Sequence, residues 1–149
     1  MKRMMSFKVG VLVSGLVMGG GVYAGPKVTV VFKNQGSESA LNVRENSNEN
    51  STYLNSSPKP ENEVFASCSN SYDVQSLISP NTNWAYVRYR MGRKECVFST
   101  TYVNMMGAGG SMTPKWTKAA TPSNGATCTA TITKTNYNDH TWVVEFLMR

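Results

Sequence analysis

The stretch Asn83-Trp-Ala-Tyr-Val-Arg-Tyr-Arg-Met-Gly-Arg-Lys-Glu-Cys-Val-Phe-Ser-Thr-Thr-Tyr102 decides how the chain is read. Trp84, Tyr86, Arg88 and Arg90 alternate with Ala85, Val87, Tyr89 and Met91 up to a glycine-containing break. Beyond it, Cys96, Phe98, Thr100 and Tyr102 alternate with Glu95, Val97, Ser99 and Val103. Successive side chains of a strand point to opposite faces, so two such runs around a short break predict an antiparallel hairpin. One face carries Trp84, Tyr86, Arg88 and Arg90, aromatic then cationic, and Arg93 and Lys94 follow in the turn. Guanidinium groups beside aromatic rings suit an anionic surface or an acidic protein partner. The same pattern also arises on a solvated sheet face whose Arg stems cover the rings.

A second hairpin is legible near the C-terminus. Cys128, Ala130 and Ile132 alternate with Thr127, Thr129, Thr131 and Thr133; Asn136-Tyr-Asn-Asp139 is turn chemistry; Trp142, Val144, Phe146 and Met148 share the returning face. Earlier, Lys27–Lys33 and Ala40–Arg44 read as strands joined by a turn over 34–38, an N-terminal hairpin. Glu63–Ser67 and Tyr72–Ile78 supply two more strands, the latter with Ile78 on the face of Tyr72 and Val74. No helical period of useful length occurs after the leader. The expectation is an all-β chain, a small antiparallel β-sandwich of about seven or eight strands, Ig-like in the loose architectural sense, with a β-barrel as the alternative.

Two stretches read as exposed loops, near 45–60 and 104–125. The first is rich in Asn, Ser and Glu and closes on Pro58-Lys-Pro60; its Asn50-Ser-Thr and Asn55-Ser-Ser triplets are read as ordinary loop residues. The second is broken by glycines and proline, with no Gly-Lys-Ser/Thr ending to cradle a phosphate. Its Met105, Met106, Met112 and Trp116 are either an adaptable apolar surface or a cap on the core.

Lys2, Arg3 and Lys8 precede an apolar run from Val9 to Met18, and small residues through Ala24 frame a cut before Gly25. This pattern predicts a cleaved signal peptide over 1–24, a single domain over 25–149, and export to the periplasm or the extracellular space. The full chain holds 15 Lys and Arg against nine Asp and Glu, a net +6; without the three leader cations it is twelve against nine, or +3. That balance gives no reason to expect a nucleic-acid partner. Three cysteines in an oxidising compartment imply one bridge and one leftover thiol. Cys96–Cys128 is the preferred pairing and Cys68–Cys96 the next. With no close cysteine pair and a single histidine, neither a metal site nor a cofactor is expected.

His140 is the only histidine and stands at a hairpin tip, while the nine acids are scattered. No constellation for acid–base or nucleophilic catalysis emerges, so the chain is read as not an enzyme. The expected function is an exported, non-catalytic binding module. Its expected partner is a protein, engaged in the manner of an inhibitor or immunity protein through Trp84, Tyr86, Arg88, Arg90, Arg93 and Lys94, with Trp116 extending the surface. The alternative is a β-sandwich that binds an anionic membrane or glycan surface, membrane-active in one form; a second alternative is an enzyme with an unrecognised site.

Overall fold

The computed structural model describes residues 23–149; the expected leader, except for Tyr23 and Ala24, lies outside the described residues. In chain order the elements are β1 (Val28–Asn34), β2 (Ala40–Val43), α1 (Ser47–Leu54), β3 (Ser56–Ser57), β4 (Glu63–Val64), β5 (Ser69–Val74), β6 (Thr82–Met91), β7 (Lys94–Met106), β8 (Met112–Ser123), β9 (Cys128–Thr135) and β10 (Trp142–Met148). They form two five-stranded sheets, ordered β3-β5-β1-β10-β9 and β4-β2-β6-β7-β8. The sheets pack face to face and neither closes on itself, so the fold is an all-β sandwich and not a barrel.

Both predicted hairpins are present. β6 and β7 pair from Met91 opposite Lys94 to Thr82 opposite Val103, around a turn at Gly92-Arg93. Gly92 holds φ +58°, a conformation a two-residue hairpin needs and glycine adopts freely. β9 and β10 pair antiparallel with a bulge at Val143/Val144. The alternation sends Ala85, Val87, Tyr89 and Met91 inward to meet Cys96, Phe98, Thr100 and Tyr102, and from the other sheet Val28, Val30, Phe32, Trp142, Val144, Phe146 and Met148. Phe32 stacks on Tyr89 at 3.5 Å between centroids, and Phe98 on Phe146 at 4.7 Å, which locks the two sheets in register. Tyr72 and Tyr89 place their hydroxyl oxygens 3.2 Å apart inside this core. Burial pushes both phenols up, Tyr89 to about 12. Cys96 and Cys128 form the preferred disulfide, Cα atoms 5.8 Å apart, joining β7 of one sheet to β9 of the other. Cys68 is free and exposed.

Three expectations are corrected. The N-terminal hairpin does not form: β1 lies between β5 and β10 in one sheet, and β2 between β4 and β6 in the other. The turn between them is a crossing from sheet to sheet, organised by buried Asn34. Its Nδ2 donates to the carbonyls of Glu38 (2.8 Å) and Val64 (2.9 Å), and its Oδ1 accepts from the Gly36 amide (2.9 Å). Second, the 45–60 region is not one exposed loop, because it holds α1 and β3. Asn46 accepts from the Glu49 amide at 2.9 Å as the N-cap, and Lys59 Nζ closes the other end on the carbonyls of Tyr53 and Leu54. Third, most of 104–125 is strand: β7 runs on to Met106 and β8 fills Met112–Ser123. β8 is a sheet edge, where Pro114 and Pro122 are tolerated. The sandwich also departs from a purely antiparallel one, since β1 and β10 pair in parallel from Val28 opposite Trp142 to Asn34 opposite Met148.

Candidate functional site

The sandwich has two unlike ends. The β6–β7 turn marks the first, here called the turn end; the β5–β6, β7–β8 and β9–β10 connections gather at the second, the loop end.

Trp84, Tyr86, Arg88 and Arg90 share the outer face of β6, as the alternation requires. The structure surrounds the two arginines with carboxylates. Arg88 donates through Nε (3.0 Å) and Nη2 (2.9 Å) to Glu49 Oε1 and through Nη1 (2.5 Å) to Glu95 Oε1. Arg90 donates through Nε to Glu95 Oε2 at 2.6 Å and through Nη2 to Glu45. Glu49 is brought there by α1: its side chain is buried and also accepts from the Glu45 amide (2.7 Å) and Asn46 Nδ2 (2.9 Å). Two guanidiniums therefore face three carboxylates. The hydrogen bond to Glu49 raises Arg88 further above its ordinary range, and the bond to Glu95 does the same for Arg90. Burial pushes Glu95 up, but the hydrogen bond from Arg90 and the charges of Arg88 and Arg90 outweigh it and hold the carboxyl below its usual range. Arg93 and Lys94 stand exposed in and after the turn, past this cluster. Trp116 does not join the group. It lies opposite Tyr102 in the β7–β8 ladder, on the inner face of the sheet, at the loop end.

At the loop end the rings of Trp116, His140 and Trp142 pack round Tyr102, with centroids 5.6, 5.2 and 5.9 Å from it. Tyr102 Oη sits 2.7 Å from His140 Nδ1, and Trp116 Nε1 donates to the His140 carbonyl at 3.2 Å. His140 holds φ +62°, a left-handed conformation kept by these contacts. Burial raises the Tyr102 phenol. Tyr137 meets Trp116 edge-on at 5.0 Å and is 70% exposed. Buried Asn83 fixes the neighbouring connection, accepting from the Ser76 amide (3.1 Å) and donating to the carbonyls of Pro26 (2.7 Å) and Val74 (2.9 Å).

Outside this roof, apolar side chains are left in solvent. β5 stops at Val74, so Leu77 and Ile78 fall in a connection, 62% and 74% exposed, and Ile78 is not the inward strand residue its alternation suggests. β7 and β8 continue past the last β6 rung as a two-stranded ribbon, with Asn104 opposite Pro114, Met105 opposite Thr113 and Met106 opposite Met112. Met105, Met106 and Met112 on it are 53%, 73% and 44% exposed. The turn end leaves out only Leu41 and Phe65 among large apolar residues beyond residue 24. Leu77, Ile78 and Tyr137 escape a sequence reading because each sits where strand and turn patterns overlap. Glu45 and Glu49 escape it because α1 has no apolar period; the signal that could find them is the Asn46-x-x-Glu49 capping signature.

The disulfide removes Cys128 as a nucleophile for His140. Among the described residues no three His, Cys, Asp or Glu side chains are grouped to hold a metal ion, and no helix is long and apolar enough to cross a membrane. In comparisons with known proteins, no family model, no curated protein and no solved structure matches the chain.

Proposed function

We propose that the chain is an exported, non-catalytic binding module and that it holds its partner with the loop end of the sandwich. The observation that supports this is the asymmetry of exposed apolar residues: Leu77, Ile78, Met105, Met106, Met112 and Tyr137 share one end of a domain only 125 residues long after its leader. Exposed apolar groups gathered at one end of a small domain suit an interaction surface. Methionines suit the role because their unbranched, polarisable side chains adapt to what they meet. The face of β6 named by the sequence is a weaker candidate: Arg88 and Arg90 already have their counter-charges in Glu45, Glu49 and Glu95, and an acidic partner would have to displace them.

Fractionating the producing cell's envelope and medium over immobilised protein tests this reading. The native chain and Phe65→Ser, an exposed apolar change at the turn end, retain the same bound fraction; Met105→Ser/Met106→Ser/Met112→Ser loses it. Retention by the triple variant overturns the proposal, whatever Phe65→Ser does.

A further inference from the structure

The β7–β8 ribbon has a property that selects among partners. Cross-strand neighbours share a face, so Met106 and Met112 lie on the face of Tyr102 and Trp116, while Met105 lies with Val103 on the other. A two-stranded projection that is apolar on both faces is not matched by a flat or one-sided protein groove, which would cover one face and leave the other wet. A fluid apolar medium wets both. The ribbon is also without charge: no Asp, Glu, Lys or Arg occurs from Asn104 to Pro114, nor from Ser76 to Tyr86 in the adjoining connection. Charges begin one step behind. Lys115 follows Pro114 on β8, and Lys134 is exposed at the far end of β9; neither makes an ion pair among the described residues. The acids at this level are Asp73, bound by Lys27 at 2.8 Å, and Asp139, whose carboxylate accepts from the Thr141 amide and hydroxyl. Behind the apolar tips also stand Trp116 and Tyr137, amphipathic rings of the kind that settle at a membrane–water boundary.

We infer that the loop end docks on an anionic lipid bilayer, the ribbon entering the headgroup region and Lys115 and Lys134 meeting lipid phosphates. This rests on the proposal that the loop end is the binding surface, and names its partner. Depth is limited by the backbone. β8 is a sheet edge with unpaired amides and carbonyls, which the hydrocarbon core does not tolerate. The three rungs beyond β6 extend about 10 Å, which matches interfacial insertion of roughly 5–10 Å.

Sedimentation with vesicles tests the inference. The purified native protein sediments with mixed phosphatidylcholine–phosphatidylglycerol vesicles. Met105→Ser/Met106→Ser/Met112→Ser weakens that binding roughly 100-fold, the loss of three apolar side chains from the interface. Tyr137→Ser, a change outside the ribbon, weakens it several-fold and guards against local misfolding of the triple variant. Lys115→Gln/Lys134→Gln loses about tenfold on the anionic vesicles and nothing on pure phosphatidylcholine. Absence of sedimentation by the folded native protein, or unchanged binding by the triple variant, overturns the inference. So does a dimer in solution, or a complex with a soluble protein, that the triple Met variant dissolves. If retention in the envelope assay depends on the methionines while protein-free vesicles do not bind, the lipid assignment falls and the loop-end reading stands. If retention ignores the methionines, both fall.

Discussion

At the turn end of the sandwich, charged groups answer one another: Arg88 and Arg90 meet Glu45, Glu49 and Glu95, and the Cys96–Cys128 bridge ties the sheets together beside them, with Cys128 Sγ 3.8 Å from the Glu95 carbonyl. At the loop end the polar groups are turned inward, Asn83 to three backbone partners and Tyr102 to His140, while apolar side chains face water. The same two sheets thus have one end consolidated by charged contacts within the molecule and another that leaves Leu77, Ile78, Met105, Met106 and Met112 facing water. Density of interactions and density of interesting residues are different things: the Arg-rich strand is conspicuous in sequence because it is busy with its own fold.

The difference can be broken chemically. Reducing the disulfide, or Cys96→Ser/Cys128→Ser, lifts the constraint across a separation of 32 residues and is expected to cost about 3–4 kcal/mol in urea unfolding. Glu49→Ala leaves the half-buried Arg88 guanidinium without its main partner and takes the acceptor from the Glu45 amide and Asn46 Nδ2; a loss of about 3 kcal/mol is expected in the same measurement. Glu95→Gln is milder, about 1–2 kcal/mol, and its signature is in pH. The Glu95 carboxyl is held below its usual value of 4.5, so its contribution is present above that pH and fades as pH falls through the lower, folded value. A stability–pH profile of Glu95→Gln should therefore be flatter than the native one on the acid side; an identical acid limb would mean the ion pairs carry no linkage. At the loop end, Tyr102→Phe leaves His140 Nδ1 without its partner and should cost about 1 kcal/mol. The triple Met→Ser change should move the unfolding midpoint least, within about 0.5 kcal/mol, because these side chains have little to lose inside the fold. A large destabilisation by the methionine variant would erase the contrast between the ends.

Much of this fold is legible from alternation alone. β6, β7, β9 and β10 show period-2 runs with their inward residues correctly grouped, since each has one face buried in the core and the other toward solvent. What alternation does not carry is sheet membership. β1 and β2 look like a hairpin because a short polar segment joins two strands, but the Asn34 side chain supplies hydrogen bonds that carry the chain across to the other sheet. α1 is hidden for a related reason: its buried residues are Glu49 and Thr52, so it is attached by polar groups and leaves no apolar stripe. Thr52 Oγ1 accepts from the Tyr86 amide at 2.8 Å, covering a stretch of β6 that β2 does not reach. Of the residues the sequence proposed as a surface, it placed the β6 four on one face and could not foresee which carboxylates lie beside them, since Glu45 and Glu49 arrive from some forty residues away.

The parallel pairing of β1 with β10 bears on how the protein is born. The central strand of one sheet joins residues 28–34 to residues 142–148, so that sheet is complete only once its last strand is in place. Its partner strands β5 and β9 then flank an incomplete core, and closure awaits the slowest kind of contact, one between segments far apart in sequence. The other sheet, β4-β2-β6-β7-β8, has all its strands by residue 123, so the two layers of the sandwich become complete at different points along the chain.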